Sequence, residues 1–373
     1  MKRLVSAILL VAMMLSLVAC GGSKEPETVP APTTEATVAT EAVVETTVPV
    51  ETEAPTTAPT EPAKPEGFLF LSVSKITFSV VGESENIYLG SIPAEEVTWE
   101  SSDESVITVE NGVLTAVGVG EATITCSYGD QVMSCVAGCL AADQESLNAL
   151  GSDILRQPKR LPPNYDNEEV TFFNDAAISG DSITYIMFQW ENQQDMLGDP
   201  LFLVRGGISI NGLVKKFKLL YYQGAESTLE NAVAQTGVKK VFIMLGQNDL
   251  SYMTIEETMA NWAILVERLR EKSPEIEIYI ESCIPEWRDD GANNEKNEKI
   301  AECNRQLEVF CAENDIHFWN IWPYAVDHED KMPTVYMSPD GSNIHMNKEG
   351  CYAWRQMLRA YAILEELREE YGV

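Results

Sequence analysis

The sequence predicts an α/β protein with a doubly wound parallel sheet of about five strands, preceded by a small all-β sandwich. Two patterns carry this prediction. In residues 171–373, apolar runs of strand length alternate with helical stripes of apolar residues, which is typical of βαβ units in a parallel sheet. In residues 67–142, short runs of alternating polarity are separated by turn residues, which is typical of an antiparallel sandwich.

The first 20 residues are predicted to be an export signal. Lys2 and Arg3 precede an apolar run, Leu4–Val18, that is too short to span a bilayer as a finished helix. The segment Leu17–Cys20 resembles a bacterial lipobox. That resemblance implies that Cys20 is lipidated and anchors the chain on the extracellular face of the cell membrane. A plain secretory signal with an unrelated cysteine is the alternative.

Residues 21–66 are predicted to be a disordered stalk. They consist mainly of Thr, Pro, Ala, Val and Glu and contain no aromatic residue. Such a segment buries too little apolar surface to offset the entropy lost on ordering. Its prolines and like charges keep it extended, which fits a simple tether between a membrane and the folded part.

The charge and cysteine content narrow the range of partners. The 373 residues include 26 Lys and Arg against 58 Asp and Glu, so nucleic acid would be repelled and is not expected as a partner. Apart from Cys20, seven cysteines are scattered without a Cys-x-x-Cys pair, so no zinc or other metal site is expected. A disulfide between Cys126 and Cys135 is the most plausible pairing, and the odd remainder favours buried thiols.

The all-β module is predicted from five short runs and a hairpin signal at Asn111-Gly112. The predicted strands are Ile76–Val80, Val97–Glu100, Val106–Val109, Val113–Ala116 and Ala122–Thr125. The thirty residues of Val97–Cys126 resemble the group-two bacterial immunoglobulin-like domains. This resemblance implies an immunoglobulin-like sandwich in a surface protein, where it serves as a spacer or, as the less favoured alternative, as a binding module.

A connector with three prolines, residues 143–170, leads into the α/β part. One helix there is predicted from the capping box of Thr254 and Glu257. The run Val241–Leu245 is wholly apolar, as expected for a parallel strand covered on both faces. The other predicted strands of this part are Leu201–Val204, Ile276–Ile280 and Ile316–Ile321.

A candidate nucleophile lies at the first strand-to-helix junction of the α/β part. Apolar residues lead to Gly180-Asp181-Ser182, and apolar residues at helical spacing follow. At the carboxyl end of a strand, a side chain reaches the crevice where ligands bind, and the first turn of the helix offers free backbone N–H groups. The tripeptide alone is a weak signal, because turns favour all three residue types.

Two later motifs strengthen this interpretation. Gly246-Gln247-Asn248-Asp249 follows a buried strand, and the segment Asp340–Asn347 precedes the last helix. Together with Gly180-Asp181-Ser182, these motifs resemble the SGNH, or GDSL-type, hydrolases over roughly residues 171–370. The resemblance implies a flavodoxin-like sheet and a serine esterase that works through an acyl-enzyme without a cofactor.

The general base is sought among three histidines. His317 lies in a strand-like run and is predicted to be structural, whereas His328 lies in a charged loop and is predicted to be solvated. His345 holds the position of the base in the family. The family places the orienting aspartate three residues before the histidine, where this chain has Ser342. Asp340, five residues before, is the favoured partner, with Ser342, a backbone carbonyl or no partner as alternatives.

The resemblance also implies an oxyanion hole formed by the Ser182 N–H, a glycine N–H and the Asn248 side chain. The second motif of the family is altered here to Arg205–Ile210. Gly207 is the favoured donor and Ile210 the alternative. Asp181 and Asp249 are interpreted as structural.

The expected function is therefore a surface-anchored esterase that removes O-acyl groups from carbohydrate or cleaves a small ester. Lipid or aryl ester hydrolysis is the second choice. The rival hypothesis is a cell-surface binding or adhesion protein that kept the fold but lost catalysis.

Overall fold

The computed structural model describes residues 66–215, 220–222, 225–287 and 293–373. The predicted export signal with Cys20, and the stalk up to residue 65, lie outside these ranges. The described residues fall within one compact unit, Pro62–Val373. Among them, no helix combines the length and the apolar character that crossing a bilayer requires.

The amino-terminal part contains two sheets around a common core. Their strands are β1 (Lys75–Val80), β2 (Ser84–Asn86), β3 (Thr98–Ser101), β4 (Ile107–Glu110), β5 (Val113–Ala116), β6 (Gly120–Tyr128), β7 (Gln131–Ala141) and β8 (Arg160–Leu161). One sheet has the strand order β3-β6-β7-β1-β8 and the other β2-β5-β4. Asn111 and Gly112, between β4 and β5, both have positive φ, as a two-residue hairpin turn requires.

The predicted disulfide between Cys126 and Cys135 is wrong. In the β6–β7 ladder Cys126 is paired with Met133, and Cys135 with Ile124. The two cysteines are thus diagonal neighbours, about 7–8 Å apart at Cα, which is too far for a relaxed disulfide. All seven cysteines of the described residues are free and buried. Burial raises the pKa of Cys126 to about 11 and that of Cys135 to about 12.

Two short helices, α1 (Gln144–Asn148) and α2 (Ser152–Leu155), lead from β7 to β8.

The α/β part contains the strands β9 (Ala176–Gly180), β10 (Leu201–Val204), β13 (Lys240–Met244), β14 (Glu277–Glu281) and β15 (His317–Trp319), and a separate hairpin is formed by β11 (Leu220–Tyr222) and β12 (Ala225–Ser227). The first five form a parallel sheet with the order β10-β9-β13-β14-β15, which is the flavodoxin-like arrangement. The predicted five-stranded α/β sheet is confirmed.

Helices cover both faces of this sheet. They are α3 (Ser182–Gln194), α4 (Ile210–Val214), α5 (Leu229–Thr236), α6 (Ile255–Lys272), α7 (Asn293–Glu313) and α8 (Lys348–Tyr371). On one face, α3 and α8 contribute Met187 and Trp354 to the core. On the other face, α6 and α7 contribute Leu265 and Leu307. Because all five strands are parallel, their carboxyl ends meet at one edge of the sheet.

The amino-terminal part packs tightly against the α/β part. Phe68 and Phe70 are buried with Ala360 and Leu364 of α8 in one apolar cluster. The Tyr324 hydroxyl donates a hydrogen bond of 2.8 Å to the carbonyl oxygen of Ser72. The two parts of the chain therefore share buried contacts.

His328 contributes to the same contact, and the prediction that it is solvated is wrong. Its side chain is buried, and its Nδ1 lies 2.9 Å from the Ser79 Oγ of β1. Burial, together with the nearby Lys159 ammonium, lowers the pKa of His328 to about 4. The ring is therefore neutral near pH 7.

Candidate active site

Ser182 is the first residue of α3, directly after β9 and the N-cap Asp181. The chain can turn sharply here because Gly180 has no side chain. A Cβ atom at this position would collide with the Thr184 side chain and lie 2.9 Å from the Met244 carbonyl oxygen. Ser182 is half-buried, so its hydroxyl sits at the sheet edge with partial access to solvent.

A line of hydrogen bonds joins Ser182, His345 and Asp340. The Nε2 atom of His345 lies 3.0 Å from the Ser182 Oγ, and its Nδ1 atom lies 2.6 Å from the Asp340 Oδ2. The His345 side chain is 18% exposed and that of Asp340 is 40% exposed. The structure thus brings together all three residues that the sequence pointed to.

The loop before α8 explains how Asp340 reaches the ring from five positions away. Met337 and Met346 form an antiparallel bridge that closes the loop. Gly341 and Asn343, between the aspartate and the histidine, both have positive φ, so the intervening chain folds back on itself. The extra residues are taken up in this turn, and Asp340 lies beside the imidazole.

Ser342 occupies the position that the family gives to the aspartate, but its hydrogen bonds go to backbone groups and to Asp340, not to the ring. Its hydroxyl accepts a hydrogen bond of 3.1 Å from the backbone N–H of His345. Its own N–H donates to the Asp340 Oδ1 at 2.8 Å. Ser342 therefore supports the loop, and the Nδ1 atom of His345 is left to Asp340.

The Asp340 carboxyl is strongly acidic. Partial burial alone would raise its pKa, but hydrogen bonds from the Ser342 N–H and the His345 ring outweigh this and lower the pKa to about 2. The carboxylate is therefore ionised at neutral pH and can accept the hydrogen of the His345 Nδ1.

Two backbone N–H groups are available near the Ser182 hydroxyl. Gly206 passes so close that a Cβ atom there would lie 3.9 Å from the Ser182 Cβ. The next residue, Gly207, has φ +75° and is exposed. Within the described ranges, neither the Ser182 N–H nor the Gly207 N–H donates to another group of the protein. The alternative donor Ile210 is engaged, because its N–H donates to the Asp249 Oδ2 at 2.9 Å.

Asn248 follows β13 at the same edge, and both hydrogens of its amide are engaged. The Nδ2 atom donates to the Asp181 Oδ2 at 2.8 Å and to the Ile208 carbonyl oxygen at 2.9 Å. An oxyanion at Ser182 would have to replace one of these two acceptors.

Two buried carboxylates tie the three motifs together. Asp181 also accepts a hydrogen bond of 2.9 Å from the Ile183 N–H and so caps α3. Asp249 accepts from the N–H groups of Ile210 and Asn211, at 2.9 Å each, and so holds the segment of Gly206 and Gly207, the glycine loop, against the Asn248 segment. Burial raises the pKa of Asp181 to about 6 and also raises that of Asp249. The sequence indicated both as structural, but it did not reveal the contact between Asp181 and Asn248, which are 67 positions apart.

The remaining histidine is remote from this chemistry. His317 lies in β15 with its ring stacked on Tyr279 at 4.3 Å between centroids. No group of three or more His, Cys, Asp or Glu side chains in the described part of the chain is arranged to hold a metal ion.

The GDSL-like lipase/acylhydrolase family matches residues 156–353, which is more than half of the 373 residues. The chain belongs to this family. It is a serine ester hydrolase, and the match includes all three motifs described above.

Several solved structures are also similar to this chain. They include a GDSL-like lipase from Bacteroides thetaiotaomicron with 16% identity and a TM-score of 0.41, covering 52% of this chain and 90% of that chain. A carbohydrate esterase of family 3 from Talaromyces cellulolyticus has 13% identity and a TM-score of 0.37, covering 52% and 98%. A lipolytic G-D-S-L family protein from Veillonella parvula has 19% identity and a TM-score of 0.35, covering 51% and 96%. No curated protein matches the chain.

Proposed function

We propose that Ser182 is the nucleophile of the hydrolase, His345 its general base and Asp340 the residue that orients the base. The observation that supports this is the continuous hydrogen-bond line from Asp340 through His345 to the Ser182 Oγ, with separations of 2.6 and 3.0 Å. Both separations are within the reach required for proton transfer in acyl transfer reactions.

The reaction proceeds in two halves. The Ser182 Oγ attacks the ester carbonyl carbon while its proton passes to the His345 Nε2, and the resulting imidazolium then protonates the departing alcohol. Water attacks the acyl-enzyme with His345 again as base, which releases the acid and restores the Ser182 hydroxyl. Asp340 is ionised throughout and stabilises the imidazolium that forms in each half. No cofactor is needed.

The tetrahedral oxyanion is held by the N–H groups of Ser182 and Gly207 and by the Asn248 side chain. The two backbone groups are unengaged within the described residues, and the start of α3 adds the favourable end of a helix dipole. Each donor of this kind typically contributes about 3 kcal/mol to transition-state stabilisation.

The proposed substrate is an O-acyl group on carbohydrate. An open site supports this, because Gly206 and Gly207 are exposed and the Tyr252 side chain next to them is 60% exposed. The Tyr252 hydroxyl lies 2.9 Å from the Ser209 Oγ, which fixes the ring beside the glycine loop. An open rim with an exposed ring suits a small acyl group on a large polymer. Lipid or aryl esters are the second candidate.

The setting of the enzyme is part of the same proposal. Lipidation of Cys20 would anchor the chain on the extracellular face of the membrane, and the stalk would place the enzyme within reach of wall or environmental polysaccharide. The amino-terminal part, with its two sheets, is proposed to be an immunoglobulin-like module.

Hydrolysis of p-nitrophenyl acetate tests the reaction. Ser182→Ala should lower kcat by about 10⁴-fold or more, whereas Ser134→Ala, a change at an exposed position of β7, should leave it unchanged. Equal turnover by wild type and Ser182→Ala would overturn the assignment of the nucleophile.

Labelling with a fluorophosphonate separates the enzyme from the rival hypothesis of a silent surface-binding protein, because only an activated serine reacts. Labelling of wild type but not of Ser182→Ala is expected. Substrate class is then tested by acetate release from chemically O-acetylated xylan. Turnover of p-nitrophenyl acetate without release from the polymer would leave the esterase in place and remove the carbohydrate proposal.

A further inference from the structure

We propose that Asp181 is a positioning residue for the oxyanion hole, which holds the Asn248 carboxamide so that its amino group faces the site of the oxyanion. This inference rests on the proposed roles of Ser182 and Asn248. It gives a functional role to a residue that the sequence indicated only as structural.

The Asp181 carboxylate determines which end of the Asn248 carboxamide faces it. Asp181 is 3% exposed, and its Oδ2 accepts the Asn248 Nδ2–H at 2.8 Å. An ionised carboxylate only accepts hydrogen bonds, so it selects the amino end of the carboxamide and repels the carbonyl end. With a neutral donor in place of Asp181, the Asn248 side chain could turn over and present its oxygen instead.

The remaining hydrogen of the Asn248 amide is bound by a neutral acceptor. It donates to the Ile208 carbonyl oxygen at 2.9 Å, one residue after Gly207. An oxyanion is a stronger acceptor than a neutral carbonyl, so the developing negative charge draws this hydrogen away from Ile208. Asp181 keeps the other hydrogen, and the amide needs only a small rotation rather than a search among rotamers.

An ionised carboxylate at position 181 lowers the stability of the fold at neutral pH. Burial raises the pKa of Asp181 to about 6, while the facing His345 lowers it and the facing Asp249 raises it. The Cys283 thiol also faces it, and its own pKa is raised well above the usual value, mainly by burial. The folded chain therefore binds a proton at Asp181 more tightly than the unfolded chain, so the free energy of unfolding falls as pH rises from about 4 to 6. A carboxylate that lowers stability at neutral pH beside a nucleophile points to a role in activity.

The test is Asp181→Asn in the full chain. Asparagine caps helices as well as aspartate, so the bond to the Ile183 N–H can be kept. Its amino group would then face Asn248. We expect kcat for p-nitrophenyl acetate to fall about 100-fold with little change in KM, as when one oxyanion donor is lost. The melting temperature at pH 8 should not fall, because a buried charge has been removed.

The matched control is Asp143→Asn. Asp143 is the N-cap of α1, where it accepts from the Ser146 N–H at 2.8 Å, and it has no contact with the candidate active site. This variant should retain the kcat of wild type. If Asp181→Asn does not fold, Asp181→Ser takes its place, because serine also caps helices and is neutral. Its kcat should fall to a similar extent.

A double-mutant cycle with Asn248→Ala shows whether Asp181 acts through Asn248. If it does, adding Asn248→Ala to Asp181→Asn should lower kcat by less than about threefold more. If the kcat losses of the two single variants multiply in the double variant, the inference is overturned. It is also overturned if Asp181→Asn keeps the kcat of wild type, or if its melting temperature falls in proportion to its activity. If wild type itself fails to hydrolyse esters, the proposed function fails first, and this outcome is distinct from all of these.

Discussion

The Asp340 Oδ2 lies 2.6 Å from the Nδ1 of His345, although the two residues are five positions apart. The usual family spacing of three would place Ser342 there, and the turn at Gly341 and Asn343 takes up the difference. The geometry at the ring is therefore preserved while the sequence spacing is not.

Asp340→Asn should lower kcat about 10³–10⁴-fold with little change in stability. A carboxamide at this position can no longer stabilise the imidazolium and can hold the ring in the wrong tautomer. The measurement is kcat for p-nitrophenyl acetate between pH 6 and 9, where the pKa of about 2 keeps Asp340 ionised in wild type.

Ser342→Ala is the matched control for this prediction. Its hydroxyl accepts a neutral hydrogen bond of 3.1 Å from the His345 N–H and a longer one of 3.4 Å from the Ile344 N–H, and a bond of this kind contributes about 1 kcal/mol. The expected loss in kcat is thus no more than about fivefold. A larger loss in Ser342→Ala than in Asp340→Asn would reassign the partner of the imidazole.

Gly180→Ala should destabilise the protein by about 2 kcal/mol or more. The new methyl group would meet the Thr184 side chain and the Met244 carbonyl oxygen, and well-packed cores do not absorb such an insertion. Urea unfolding followed by circular dichroism measures the change. Gly151→Ala is the control, because a Cβ atom there meets nothing within 4 Å. Equal stability of the two variants would mean that β9 and α3 can separate freely.

The sequence was sufficient for those features that have a local pattern. The wholly apolar run before Gly246 predicted a parallel strand covered on both faces, and the change from strand to helical spacing at Ser182 indicated a candidate nucleophile. Each of these patterns spans only a few neighbouring residues, so it can be recognised without knowledge of the fold.

Contacts between distant segments were not predictable in this way. His328 is flanked by Asp327, Glu329 and Asp330, which favoured a solvated loop. In the structure, however, Asp327 is buried at 3.0 Å from the Arg156 guanidinium, and His328 meets Ser79. The charges that indicated exposure have partners of opposite charge from other parts of the chain. The local sequence pattern does not predict such partners.

The neutral state of His328 predicts a pH dependence of stability. The folded-state pKa of about 4 is below the ordinary 6.5, so between these values the unfolded chain binds a proton that the folded chain does not. The contribution is complete above pH 6.5 and is lost as pH falls toward 4. From the size of the shift it amounts to about 3 kcal/mol.

Urea unfolding of wild type and His328→Gln at pH 4.5 and pH 7.5 measures this contribution. Wild type should lose about 2 kcal/mol more than the variant between the two values. The exposed His317 provides the control, and His317→Gln should follow wild type at both. The same pH dependence in His328→Gln as in wild type would contradict a buried neutral imidazole at this position.

Phe70→Ala should weaken the whole described unit rather than the amino-terminal part alone. The Phe70 ring is 2% exposed and stacks on Tyr165 at 6.3 Å between centroids, in the cluster that contains Leu364 of α8. Loss of a buried phenylalanine side chain costs about 3–5 kcal/mol.

Since α8 begins three residues after His345, the amino-terminal part and the candidate active site should unfold together. Tryptophan fluorescence and far-ultraviolet circular dichroism should therefore give one coincident transition, shifted in Phe70→Ala and unshifted in Val132→Ala, whose side chain is 64% exposed. Two separate transitions, of which only the first responds to Phe70→Ala, would instead show that the amino-terminal part folds independently and contributes nothing to the stability of the hydrolase.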